Sequence, residues 1–173
     1  KNWGIVDVED TLSALHYMRD SKNIDPNRVV ICGSSAGGYT VLRVLTMHPG
    51  VFKAGLCIYG ISDLFSLTRD THKFEAHYLD KLIGTLPDCL TNYNERSPIF
   101  SAKNIVDPLA IFHGSKDTVV PISQAKKIVD ILRKQGTPHA YHTYKNEGHG
   151  WKNPETIQSF YENIDAFLRR YVL

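Results

Sequence analysis

The sequence predicts an α/β domain built on a mostly parallel sheet with helices on both faces. Three observations carry that reading. Short apolar runs alternate with longer stretches whose apolar residues recur at helical spacing. The runs 29–32, 54–59 and 109–112 are almost wholly apolar, as in strands buried on both faces. The 173 residues, 42% hydrophobic and 22% charged, are enough for one core without disulfide support.

Taken in order, residues 7–22 form a helix, with Val8, Leu12, Leu15 and Met18 as its apolar stripe and Asp7, Glu9 and Asp10 in the first turn, where the helix dipole favours anions. Asp25-Pro26-Asn27 turns the chain into a first strand at 29–32. A helix over 36–47 is stopped by His48-Pro49-Gly50 and followed by a second strand at 54–59. The stretch 61–105 is less regular and reads as a helix or two plus loops, placed where a lid could sit. A third strand occupies 109–112. The helix over 123–135 turns Ala125, Ile128, Val129 and Leu132 inward and stops at Gly136. Residues 140–144 alternate as a fourth strand. A last helix starts near Pro154, with Ile157, Phe160, Tyr161, Ile164, Phe167, Leu168 and Tyr171 as its stripe.

Composition excludes several classes. Net charge is +2 and the basic residues are scattered, so neither nucleic acid nor a membrane surface is an expected partner. The apolar runs are far too short to span a bilayer. Three cysteines (Cys32, Cys57 and Cys89) at unpaired spacing argue against a disulfide framework and for a reducing, cytoplasmic setting. No CxxC or HExxH motif is present, so no metal is expected.

Gly33-Ser34-Ser35-Ala36-Gly37-Gly38 has the form GxSxG, follows a buried strand and opens a helix. That is the context of a nucleophile elbow, in which Ser35 sits on a strained turn with its hydroxyl exposed. Gly33 and Gly37 would leave room for that turn, and the Ala36 N–H would point at a developing oxyanion. A serine hydroxyl needs a base, and the base needs an orienting acid. Asp117 follows the third strand and His149, in Glu147-Gly148-His149-Gly150, follows the fourth. All three residues fall at the carboxyl ends of strands, where sites gather in open α/β sheets. Asp63, after the second strand, is the rival acid. Asp117 is preferred because the loops after the third and fourth strands should be neighbours. His113 is expected to hydrogen-bond the backbone near Asp117, and His16, His48, His72, His77, His139 and His142 have no comparable context.

This set resembles the catalytic domain of the prolyl oligopeptidase family of serine peptidases, within the α/β-hydrolase fold. The similar stretches are Trp3-Gly4 through Asp10, Asp25 to Arg28, Gly33 to Tyr39, Ser97-Pro98, His113 to Asp117 with Val120-Pro121, and Gly148 to Trp151. The elbow and the Gly-His-Gly-Trp ending are most similar to acylaminoacyl-peptidase and dipeptidyl-aminopeptidase relatives. The resemblance implies Ser35 as nucleophile, Asp117 as acid, His149 as base and the Ala36 N–H as one oxyanion donor, with no cofactor. Its substrate pocket would draw on Tyr59, the side chains after it, and Val120.

The resemblance further implies that residues 1–173 are part of a hydrolase domain. The first strands, a tyrosine giving the second oxyanion donor, and a β-propeller would belong to the upstream part of the same parent protein. One missing donor typically costs about 2.7–4 kcal/mol of transition-state stabilisation, so this chain alone is expected to turn over slowly. The expected activity is hydrolysis of amide bonds in short peptides through an acyl-enzyme. The alternatives are a carboxylesterase with the same triad and a catalytically silent relative acting as a binding module.

Overall fold

A computed structural model of the chain describes residues 1–22, 24–70 and 77–173. The elements run α1 (Val6–Asp20), β1 (Val30–Ser34), α2 (Ala36–Met47), β2 (Ala54–Ile58), α3 (Leu64–Asp70), α4 (Tyr78–Leu82), α5 (Leu90–Arg96), α6 (Pro98–Ser101), a 3-10 turn (Ala102–Asn104), β3 (Leu109–Gly114), α7 (Ser123–Gln135), β4 (His139–Tyr144) and α8 (Pro154–Tyr171). The four strands form one sheet in the order β1-β2-β3-β4, and every pairing is parallel.

Strand alternation decides which helices cover which face. Ile31, Gly55 and Leu109 lie side by side in the register, as do Cys57, Ile111 and Tyr141. They face a core completed by Val41, Leu42 and Leu45 of α2 and by Ala125, Ile128, Val129 and Leu132 of α7. The intervening residues Ala54, Leu56, Ala110 and Phe112 face Phe160 and Phe167 of α8. The helices therefore lie on both sides of the sheet.

The sequence-based expectations need four corrections. β1 is not buried on both faces. It is a sheet edge, and Cys32, on the face that α8 covers elsewhere, is exposed. Met18 is 38% exposed although Val8 and Leu15 of the same helix are buried. In α8, Phe160 and Phe167 are buried, whereas Tyr161 is 65% exposed, because each helical step turns the next residue about 100° away from the core side. Among its described residues the stretch after β2 holds four short helices and the 3-10 turn rather than one or two helices, and His72 falls outside the described residues. Ile61, Leu64, Leu67, Leu79, Ile83 and Tyr93 of this stretch pack with Tyr39 and Val120 into a second core beside the strand ends. The candidate site sits next to this packed layer.

The α8-side core centres on Phe112, which is fully buried and meets Phe160 edge-on at 5.0 Å between ring centroids. Replacing it leaves a cavity in the middle strands. Phe112→Ala is expected to lower unfolding free energy by about 3–5 kcal/mol, measured as a shift in the urea denaturation midpoint with an unchanged slope.

Candidate active site

Backbone geometry at the strand ends builds the site. Ser35 follows β1 at φ 54° and ψ −118°, a left-handed conformation that a serine adopts only under constraint. Its N–H donates to the Ile58 carbonyl at 2.9 Å, which ties the turn to the end of β2. A Cβ at Gly33 would collide with the Gly37 carbonyl, so the elbow requires glycine there. At Gly37 itself a Cβ would meet open space, so the expectation that Gly37 is needed for room is not met. Ala36 is the first residue of α2 and its N–H belongs to the unsatisfied first turn of that helix.

The structure brings three predicted residues together. His149 Nε2 lies 2.8 Å from Ser35 Oγ, and His149 Nδ1 lies 2.8 Å from Asp117 Oδ2. A carboxylate accepts only, so Nδ1 carries the ring proton and Nε2 accepts from the serine hydroxyl. The Asp117 side chain is fully buried while that of His149 is 21% exposed, so the hydrogen-bond chain runs from the interior to an open face.

Asp117 is held by more than its histidine. Its Oδ1 accepts from the Val119 and Val120 N–H groups, each at 2.9 Å. His113 Nε2 donates to the Val120 carbonyl at 2.8 Å, the backbone contact expected of it. Burial pushes the His113 ring below the usual histidine range, although the Val120 carbonyl and Asp117 pull the other way. His113 is therefore a neutral brace for the loop.

Asp63, the rival acid, is otherwise engaged. Its Oδ2 accepts from Lys127 Nζ at 2.7 Å and its Oδ1 from the Ser66 N–H at 3.1 Å. Burial alone would raise its carboxyl, but the Lys127 and Ser66 hydrogen bonds outweigh that and hold it below the usual range.

Glu147 is a site residue that the sequence motif contained without disclosing its role. It is 4% exposed, and its two carboxylate oxygens accept from the Lys152 and Asn153 N–H groups at 3.0 and 2.9 Å. The carboxylate closes a ring of backbone with His149 inside it. The Glu147 carbonyl accepts from the Lys116 N–H at 2.8 Å, joining this loop to that of Asp117. A Cβ at Gly114 would run into the Gly148 carbonyl, so the two loops touch through bare backbone. The Asn153 and Lys152 amides hold the Glu147 carboxyl below the usual glutamate range.

The two residues expected to line a substrate pocket are placed differently. The Tyr59 ring is half-buried and lies 4.5 Å from the His149 ring, centroid to centroid. The Val120 side chain is only 2% exposed and packs into the second core, while its backbone serves Asp117.

Known proteins are similar to this chain in sequence and in fold. The sequence matches the prolyl oligopeptidase family over residues 1–173. Dipeptidyl aminopeptidase BIII of Pseudoxanthomonas mexicana is 30% identical over 92% of this chain, and the acylamino-acid-releasing enzyme of Arabidopsis thaliana is 25% identical over 97%. This chain spans 24% and 23% of those proteins, so it corresponds to about a quarter of their length. Among solved structures, a puromycin-hydrolyzing peptidase of Mycobacterium tuberculosis superposes with a TM-score of 0.95 at 39% identity, over 99% of this chain and 26% of that one. The acylaminoacyl peptidase of Pyrococcus horikoshii superposes at 0.90 with 28% identity, over 98% and 28% respectively. With its α/β-hydrolase fold and a family match across its whole length, the chain belongs to the prolyl oligopeptidase family.

Proposed function

We propose that this chain carries the catalytic triad of a serine-type peptidase that cleaves amide bonds in short peptides through an acyl-enzyme. The observation that supports it most is the continuous Asp117–His149–Ser35 hydrogen-bond chain at the strand ends. In this reading Ser35 Oγ attacks the scissile carbonyl carbon as His149 Nε2 takes its proton. The carbonyl oxygen gains charge beside the Ala36 N–H, at the positive end of α2. Asp117 keeps the Nδ1–H tautomer and stabilises the imidazolium. The proton then passes from Nε2 to the leaving amine, and a water activated by His149 releases the acyl group. Each group holds or moves a proton at a named atom, and the reaction calls for no metal.

The reading extends to the frame of the site. β1 is an apolar edge strand in an all-parallel sheet; such sheets normally have both faces covered, and exposed apolar edges are avoided. Together with the length of the relatives, this supports residues 1–173 as part of a larger hydrolase domain whose further strands pair with β1. Such a domain would also supply the second oxyanion donor.

Two outcomes test the proposal. Treatment with a fluorophosphonate probe should give one adduct by intact mass, mapped to Ser35 and absent in Ser35→Ala with an unchanged circular dichroism spectrum. A folded chain that forms no adduct, or forms it elsewhere, contradicts the proposal.

Glu147→Gln tests the clamp. A glutamine presents an NH2 group to one of the two backbone donors, so the loop should loosen and labelling of Ser35 should slow by roughly ten- to a hundredfold, as expected for a misplaced base. The stabilisation from an ionised Glu147 is present above the ordinary glutamate range and is lost as pH falls through its lowered folded value. The melting-temperature gap between wild type and Glu147→Gln should therefore be widest near neutrality and close in acid. A gap independent of pH would show that the charge plays no part.

A further inference from the structure

Tyr59 stands in a conformation that needs a reason. It follows β2 with φ 38°, in the left-handed region that bulky residues avoid. Its N–H donates to the Phe112 carbonyl at 2.7 Å, so the strand end fixes the turn. Strain of this kind persists only where the surroundings over-determine it, and it clusters at functional sites. The turn brings the Tyr59 ring to 4.5 Å from His149, at an interplanar angle of 51°.

The ring is in turn held from behind. Trp151 meets it edge-on at 5.3 Å, and Trp151 packs on Tyr144 at 4.8 Å and Phe160 at 5.7 Å. Phe160 belongs to the α8-side core around Phe112. An aromatic chain thus leads from the core, through Trp151, to the side of the base. Tyr59 follows β2 and Phe160 sits on α8, while Trp151 belongs to the same 147–153 loop that the Glu147 carboxylate holds, so the ring and the clamp meet at that loop.

We propose that Tyr59 is a positioning residue for His149: its ring, turned inward by the left-handed backbone and backed by Trp151, keeps the imidazole on the Ser35 hydroxyl and stabilises the imidazolium formed when Nε2 takes the serine proton. The chemistry is that of a cation near an aromatic ring, which is favourable within about 6 Å of the centroid. The hydroxyl of Tyr59 takes no part; the ring does. The role rests on the triad reading and adds to it a contact that acts on the base rather than on the substrate.

The test uses the 173-residue chain, with fluorophosphonate labelling rates of folded protein and proton NMR of His149. Tyr59→Asn removes the ring and keeps a residue that tolerates the left-handed backbone. Tyr59→Leu removes the aromatic face but keeps apolar bulk, and Tyr59→Phe keeps the ring. Labelling should slow about three- to tenfold in the Asn and Leu variants, and Phe should restore the rate. The His149 ring protons should carry a ring-current shift in wild type and Tyr59→Phe that disappears in Asn and Leu. His149→Ala separates the two levels of the argument. No wild-type labelling, or labelling indifferent to His149→Ala, overturns the triad reading and the Tyr59 role with it. Labelling that needs His149 but is unchanged in both ring-less variants overturns the Tyr59 role alone, as does a ring-current shift that survives removal of the ring.

Discussion

Three backbone hydrogen bonds at the carboxyl ends of the strands fix the rest of the site. The Ser35 N–H reaches the Ile58 carbonyl, the Tyr59 N–H reaches the Phe112 carbonyl, and the Ser115 N–H reaches the Tyr144 carbonyl. Each donor is the first residue beyond one strand, and each acceptor lies in the neighbouring strand, at its last residue for Ile58 and Tyr144 and two residues before its end for Phe112. A parallel sheet supplies such bonds at even spacing along one edge. The loops carrying Ser35, Tyr59 and Asp117 are therefore set in fixed relation before any side chain is considered. His149 comes from the loop after β4 and docks on the Asp117 loop through the Lys116–Glu147 bond and the bare backbone of Gly114 and Gly148.

The electrostatics follow from that frame. A carboxylate with its side chain fully buried is tolerable only when its oxygens are satisfied. Two backbone N–H groups and the His149 ring supply the partners for Asp117. His113, 3.5 Å from the same carboxylate, contributes no cation, because burial keeps it neutral. The charge of Asp117 is thus left to act on His149. Glu147 repeats the principle one loop away: a carboxylate turned inward on backbone amides gives the base a rigid carrier without touching the reacting atoms.

Much of this was legible in the sequence, and the gaps have physical causes. The helix at 123–135 could be bounded to the residue, because its stripe is amphipathic and Gly136 takes the left-handed stop at φ 76°. The Ser35, Asp117 and His149 positions could be read because each follows a strand, an apolar run before Ser35 and Asp117 and an alternating one before His149. The helices of the 61–105 stretch could not, since elements of four to seven residues are too short to show a period. The exposure of Cys32 is not legible in its run, because an apolar run does not say whether a helix covers its strand on each face. The Glu147 clamp and the Val119 and Val120 amides were invisible for a simpler reason. Both are folded-back contacts between a side chain and backbone a few residues on, and such contacts leave no pattern in residue types.

The central claim is that the base is already oriented by a hydrogen bond to Asp117 in this chain. Proton NMR of the folded protein at low temperature tests it directly. A proton shared between His149 Nδ1 and Asp117 should appear far downfield of the amide region, persist in Ser35→Ala, and vanish in both His149→Ala and Asp117→Ala. A folded protein with no such resonance, or one whose resonance survives Asp117→Ala, would contradict the account.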